Sequence, residues 1–138
     1  MKKYLFILLL TIILGFGFSS SVSAQQYNYK STGFAYRTTD AYDRWSNWSS
    51  WESSDLLITI NMDNDYVTIY SQQTQIYRIT EYVGKYNDNS GGTQMEFKFV
   101  DQDGDKGTMR LRKESNGNSQ LYIDFANIMW VYNITRIY

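Results

Sequence analysis

The chain of 138 residues contains no cysteine, no histidine and no proline. Without cysteine it forms no disulfide, no thiol nucleophile, no thiolate-bound metal site and no iron–sulfur cluster. Without histidine it lacks the commonest general base and any Ser-His-Asp triad. No motif selects two of its carboxylates as a catalytic pair. The sequence therefore predicts a protein that is not an enzyme.

The first 24 residues have the three parts of a secretory signal. Lys2 and Lys3 form a basic start, residues 5–18 are mostly apolar, and the stretch that follows ends in Val22 and Ala24. An uncleaved anchor is the alternative, but this apolar run is shorter than the ~20 residues that a spanning helix needs. We predict cleavage after Ala24 and export to the periplasm or exterior of a bacterium. Because no cysteine follows the apolar run, no lipid anchor is expected.

Residues 25–138 are predicted to form one all-β domain with no further membrane-spanning segment. The loss of Lys2 and Lys3 with the signal takes the formal net charge from −1 to −3. A mildly acidic domain with scattered charges does not suit nucleic acid. A domain of this size still buries about two-thirds of its unfolded surface. It can therefore be held together by one core without disulfides.

Aromatic residues make up 17% of the chain, and short runs of alternating apolar and polar residues indicate strands. Residues 55–71 predict a hairpin around the turn Asp63-Asn64-Asp65. Similar runs lie near 33–36, 76–82, 95–99, 108–112, 121–125 and 130–134, and residues 85–92 are predicted to be a loop. About eight mainly antiparallel strands favour a small meander barrel, with a two-sheet sandwich as the alternative.

The second strand of the 55–71 hairpin is apolar or aromatic on both of its faces. Val67 and Ile69 alternate there with Tyr66 and Tyr70. One of the two pairs must point away from the core. We expect an outward tyrosine to lie along the sheet with its hydroxyl in water.

The polar segment 40–54 carries three tryptophans at a spacing of three: Trp45, Trp48 and Trp51. Exposed indoles can stack on sugar rings, and Arg44 and Asn47 could hydrogen-bond to hydroxyls. These five residues are the predicted ligand-binding set, for a glycan or another envelope protein. Alternatively, at least two of the indoles plug one end of the barrel. A short helical turn begun by Asp40 would bring the rings to one side.

A second cluster consists of Asp101, Asp103 and Asp105. Carboxylates at alternate positions can converge on Ca²⁺. The pattern resembles the start of an EF-hand loop, but Lys106 and Arg112 stand where that loop needs Gly and Glu. A polar hairpin turn is the simpler interpretation, because Asp and Gly are common turn residues. We predict no required cofactor, with a weak calcium site as the hypothesis to test.

The sequence thus favours a non-catalytic binding module that uses loops on a rigid β scaffold. One alternative is a structural or inhibitory envelope protein without a small ligand. A second is a lipocalin-like carrier of a small hydrophobic molecule, which would need an under-filled barrel. The many large residues predicted to face inward, such as Phe97, Phe99 and Trp130, argue against that carrier.

Overall fold

The computed structural model describes residues 26–137, so the predicted signal segment lies outside the described residues. Nine strands and no helices occur between these limits. The strands are Gln26–Thr38 (β1), Glu52–Ser53 (β2), Leu57–Asn61 (β3), Tyr66–Tyr70 (β4), Gln75–Asn87 (β5), Thr93–Val100 (β6), Lys106–Lys113 (β7), Ser119–Asp124 (β8) and Ile128–Ile137 (β9).

Eight of these strands form a closed antiparallel barrel, which confirms the predicted fold class. Strands β3 to β9 pair with their neighbours in chain order, and β1 closes the barrel by pairing with both β9 and β3. The short β2 pairs with β1 as an additional strand. Closure satisfies the strand edges that the sandwich alternative would leave open.

The predicted hairpin at 55–71 is confirmed as β3 and β4. Asn61 accepts hydrogen bonds from the backbone N–H groups of Asp63 and Asn64, and Asp65 has a left-handed φ of 59°. Val67 and Ile69 are fully buried, while Tyr66 and Tyr70 point outward and are exposed. This resolves which face of β4 packs against the core.

Two strand boundaries differ from the prediction. Strand β1 begins at Gln26 and β5 continues to Asn87, into the segment predicted to be a loop. Residues 84–87 of β5 pair with residues 93–96 of β6. Two shifts in register, between Ile79 and Glu81 and between Tyr82 and Gly84, precede this part of the strand. Tertiary pairing here overrides the weak strand propensity of Lys and Asn.

Large side chains fill the interior. The buried core cluster comprises Tyr29, Ile58, Ile60, Val67, Ile69, Tyr77, Ile79, Phe97, Phe99, Met109, Leu121, Ile123, Tyr132 and Ile134. Phe99 contacts Tyr77 and Phe125 edge to face, with ring centroids 5.0 Å and 5.3 Å away. The packed interior gives no support to the carrier alternative.

Ser31 marks the point where β1 changes its partner. Before Ser31 in the chain, residues 26–30 of β1 pair with β3, and after it Gly33 and Phe34 pair with β2. Ser31 is buried, and its Oγ lies 2.7 Å from the Oγ of Ser54 and accepts the backbone N–H of Leu56 at 2.8 Å. Its hydroxyl therefore has partners inside the wall, as a buried polar group requires. Residues 45–53, which we call the tryptophan segment, run alongside residues 33–38 of β1 in the opposite direction.

Candidate functional site

The tryptophan segment is a triplet repeat, Trp-Ser-Asn, Trp-Ser-Ser and Trp-Glu-Ser. The backbone N–H groups of Ser46 and Ser49 donate to the carbonyls of Thr38 and Tyr36, at 2.8 Å and 2.7 Å. In return, the N–H groups of Thr38 and Tyr36 donate to the two serine Oγ atoms at 3.1 Å and 2.9 Å. Serines three residues apart in the segment are therefore hydrogen-bonded to residues two apart in β1. This two-way pairing sets a period of three and brings the tryptophans to one side.

That side is the outer wall of the barrel. Phe34 of β1 packs against the interior beside Tyr132, so the alternate residues Ala35 and Arg37 point outward. The guanidinium carbon of Arg37 lies 5.2 Å from the ring centroid of Trp45 and 4.9 Å from that of Trp48. Such cation–π contacts hold the two indoles against the wall.

Trp48 lies beside an apolar strip of this wall. Its ring lies edge-on to Tyr122, with centroids 6.1 Å apart. Tyr122 is the cross-strand partner of Val131, which is the partner of Ala35. Although they face away from the core, Ala35 and Val131 are only 1% and 2% exposed. The contacts of Trp48 with Tyr122 and Arg37 place its indole on the outer wall, so the prediction that the tryptophans plug the barrel end is wrong.

The predicted helical turn at the start of the segment is also wrong. The carboxylate of Asp40 accepts the backbone N–H groups of Tyr42 and Arg44, and Asp43 has a left-handed φ of 59°. The chain consequently reverses in a tight turn instead of starting a helix. The same hydrogen bonds, that from Arg44 first, lower the pKa of Asp40.

Two residues of the predicted binding set lie apart from the indoles. Arg44 is exposed, with its Nε 2.9 Å from Asp40 and its guanidinium against the ring of Tyr42. Asn47 is exposed, and its carbonyl accepts the Ser46 hydroxyl. The arginine that does contact the indoles is Arg37. The alternation of Arg37 with Phe34 along β1 indicates that Arg37 points outward. The sequence does not show its contact with the tryptophans, because that contact depends on the chain turning back along β1.

Trp51 differs from the other two tryptophans because it borders an open cleft. It is 51% exposed, against 38% for Trp45 and 37% for Trp48. The cleft, of about 390 Å³, is lined by Thr32, Trp51, Glu114, Asn118, Ser119, Gln120, Asn133, Ile134 and Thr135. We call it the Trp51 cleft. It combines one indole with amides, hydroxyls and one carboxylate.

The polar side chains of the Trp51 cleft are held in place. The amide of Gln120 donates to Asn133 at 3.0 Å and accepts from the hydroxyl of Tyr122 at 3.0 Å. The carboxylate of Glu114 is 2.6 Å from a guanidinium nitrogen of Arg112. The Nε of the same Arg112 lies 2.7 Å from the carboxylate of Asp88, so one guanidinium is shared by two carboxylates.

Trp51 lies against the wall at Gly33. A Cβ atom at Gly33 would be 3.4 Å from the Trp51 ring and 3.2 Å from the Asn133 amide. A larger residue there would push against both groups. The absence of a side chain at Gly33 therefore helps the indole lie close to β1.

The predicted calcium ligands converge at the turn between β6 and β7. Carboxylate oxygens of Asp101, Asp103 and Asp105 all lie within 4.8 Å of one another. The carboxylate of Asp101 also accepts the backbone N–H groups of Asp103 and Asp105, at 2.9 Å and 2.8 Å. These bonds stabilise the turn in the way its sequence predicts for a polar hairpin. A calcium site at these residues stays a prediction.

Comparisons with family models, curated proteins and solved structures gave no match to this chain. Over residues 26–137, no helix is long and apolar enough to cross a membrane. The arrangement of the outer wall is therefore the basis for assigning a function.

Proposed function

We propose that the protein is a non-catalytic glycan-binding module and that the Trp51 cleft is its binding site. The observation that carries this proposal is the half-exposed indole of Trp51 at the border of a cleft lined by amides and hydroxyls. An indole face can pack on the apolar face of a sugar ring. Amides and hydroxyls at fixed positions can then select among sugar hydroxyls.

The site is preorganised, which reduces the ordering cost of binding. Residues on both sides of Trp51 are tied to β1, through Ser49 and through pairing of Glu52 with Phe34. The opposite side of the cleft is built on β8 and β9, where Gln120 and Asn133 are cross-strand partners. A rigid sheet therefore positions both the stacking ring and the polar groups.

The contacts of the other two indoles favour a supporting role. Trp45 and Trp48 both lie against the guanidinium of Arg37, and Trp48 also contacts Tyr122. A ring held between a cation and the wall has less free face for a sugar. Trp51 has no such partner among the described residues, so we assign sugar stacking to Trp51.

A glycan array, followed by titration of the best ligand, tests this proposal. The purified protein and its Trp51→Ala and Tyr42→Ala variants would be compared. Tyr42 is a matched control because it is an exposed aromatic residue outside the cleft, at the other end of the same loop. Loss of a stacking anchor should weaken binding roughly tenfold or more.

The expected result is weak binding by Trp51→Ala and unchanged binding by Tyr42→Ala. If no glycan binds the unaltered protein, the proposal is refuted, and binding to an envelope protein becomes the next hypothesis to test. Equal binding by Trp51→Ala and the unaltered protein would remove Trp51 from the site.

A further inference from the structure

Most of the exposed aromatic side chains on the barrel are held by a neighbour. Within residues 26–137, those that contact another ring, an arginine or a hydrogen-bond partner are Tyr36, Tyr42, Trp45, Trp48, Tyr82 and Tyr86. Trp51, Tyr66 and Tyr70 are also exposed, but within the same residues they make no ring contact, cation–π contact or side-chain hydrogen bond. Trp51 belongs to the site proposed above. The two tyrosines therefore define a second candidate surface.

This surface, which we call the tyrosine face, lies on the outer side of β3, β4 and β5. Because Val67 and Ile69 are buried in the core, Tyr66, Thr68 and Tyr70 share the opposite side of β4. Their outward neighbours on the two adjacent strands are Leu57, Thr59, Asn61, Ile76 and Arg78. None of these eight side chains is a carboxylate. The face combines free aromatic rings with hydroxyls, an amide and apolar groups.

A cleft of about 350 Å³ opens beside Tyr66 on this wall. Within residues 26–137 the side chain of Arg78 forms no ion pair or hydrogen bond, so its donors can bind a ligand. Asp101 brings one negative charge to the same cleft, which balances the arginine. The lining includes Tyr66, Ile76 and Arg78 of the face together with Val100, Asp101 and Gln102. A ring beside polar groups of balanced charge suits an uncharged sugar.

The spacing of the tyrosines sets the size of the ligand. Tyr66 and Tyr70 are four residues apart on β4, which is ~14 Å at the rise of an antiparallel strand. Thr68 lies between them, with Thr59 and Ile76 as its cross-strand partners. A ligand that contacts both rings must therefore extend beyond a single sugar ring.

The composition of the tyrosine face favours a glycan over a protein partner. The centre of a protein–protein interface is mainly apolar and aromatic. Here the position between the two tyrosines is Thr68, and the neighbouring positions on β3 include Thr59 and Asn61. Hydroxyls and amides interleaved with aromatic rings match the alternating polar and apolar faces of a sugar chain.

The tyrosine face and the Trp51 cleft lie on opposite walls of the barrel. In the closed eight-stranded order, β4 is four positions from β8 and β5 is four positions from β9. The Trp51 cleft is built on β8 and β9. A short oligosaccharide therefore cannot contact both surfaces at once.

We propose that the tyrosine face is a second glycan-binding site, which takes an uncharged polysaccharide and makes the protein bivalent. This inference rests on the proposed function for the Trp51 cleft. Two sites on opposite walls allow one protein molecule to link two glycan chains. On a surface that carries many chains, the second contact raises the effective affinity without any change in either site.

Affinity electrophoresis in gels that contain hydroxyethylcellulose, arabinoxylan or glycol chitin tests for binding to uncharged polysaccharides. The unaltered protein would be compared with Trp51→Ala, with the double variant Tyr66→Thr/Tyr70→Thr and with all three changes combined. Threonine keeps a residue that suits a strand and matches the neighbouring Thr68. Tyr42→Ala is the control, because Tyr42 is an exposed aromatic residue outside both surfaces.

Trp51→Ala and the tyrosine double variant should each bind the same polysaccharide roughly tenfold more weakly than the unaltered protein, and the combined variant should not bind. In light scattering, the unaltered protein and Tyr42→Ala should link the polysaccharide into larger particles, whereas neither of the two one-site variants should. If the double variant is poorly folded, Arg78→Gln keeps both rings and should still weaken binding severalfold.

Loss of all binding in Trp51→Ala, with normal binding by the tyrosine double variant, would overturn this inference and leave the Trp51 proposal standing. The reverse result would refute the Trp51 proposal and with it the bivalent arrangement. A dimer of the unaltered protein in sedimentation velocity that is lost in the tyrosine variant would show that a second copy covers the face, which would also overturn the inference. Failure to bind any of the three polysaccharides would overturn it as well.

Discussion

Replacement of Trp48 by alanine is expected to lower the free energy of unfolding by about 2–3 kcal/mol more than replacement of Trp51. The two residues occupy equivalent positions in the triplet repeat but make different contacts. Trp48 lies between Arg37 and Tyr122, whereas Trp51 borders the open cleft. The comparison isolates the wall contacts, because both changes remove the same side chain.

The magnitude follows from burial and contacts. The exposed fractions of 37% and 51% differ by an area worth about 1 kcal/mol at ~25 cal/mol per Å². The edge contact with Tyr122 contributes ~0.5–1.5 kcal/mol and the cation–π contact with Arg37 ~0.5–1 kcal/mol.

Urea unfolding followed by far-ultraviolet circular dichroism measures both variants on one scale. Trp45→Ala is a useful third variant, because Trp45 contacts Arg37 and, among residues 26–137, the ring contact with Tyr122 is made by Trp48 and not by Trp45. It should fall between the other two. Equal losses for Trp48→Ala and Trp51→Ala, or a larger loss for Trp51→Ala, would refute the assignment of Trp48 to the wall.

Two further predictions concern the tryptophan segment and the turn between β5 and β6. The double variant Ser46→Ala/Ser49→Ala removes two acceptors of β1 N–H groups and should lose about 1–2 kcal/mol of stability, measured by urea unfolding. It should also make tryptophan fluorescence easier to quench, whereas a matched change at Ser50 should not. Hydrogen bonds, that from Arg112 first, hold the pKa of Asp88 at about 2. Because this is below the unfolded value of ~3.9, its stabilising effect is complete above that value and lost as the pH falls toward 2 and below.

An unchanged stability and unchanged quenching in the serine variant would show that the Oγ atoms do not hold the segment. For the turn, urea unfolding from about pH 5 to 2 would compare the protein with Asp88→Asn, which should lose less stability over this range. Parallel pH profiles would contradict the role of the Asp88 carboxylate.

The strand pattern was predictable because period-two alternation reports which side chains face a core. Ile58 and Ile60 alternate with polar neighbours, and both are fully buried. The same rule could not decide between Tyr66 and Val67, because both suit a half-buried sheet. That choice depends on the closure of the barrel, which places Val67 inside.

The tryptophan segment was harder to predict because its period belongs to neither a strand nor a free loop. A spacing of three suggested a helical turn. In the structure the spacing arises because serine hydroxyls, instead of backbone carbonyls, accept the hydrogen bonds of two β1 N–H groups. The role of Arg37 was hidden for a related reason. The sequence predicts the position of Arg37 on β1. Its two indole partners, however, belong to the tryptophan segment, which lies beside β1 only because the chain reverses at Asp40.

The barrel's closing pair joins its first and last strands: Asn28 is the partner of Ile137, and Thr38 is the partner of Ile128. Contacts between residues so far apart in sequence carry a large loop-closure entropy and slow folding. The seam cannot form until the final strand is available, so a chain shortened within β9 would retain hairpins but lose closure. Folding of the whole barrel is therefore expected to be limited by the meeting of its two ends.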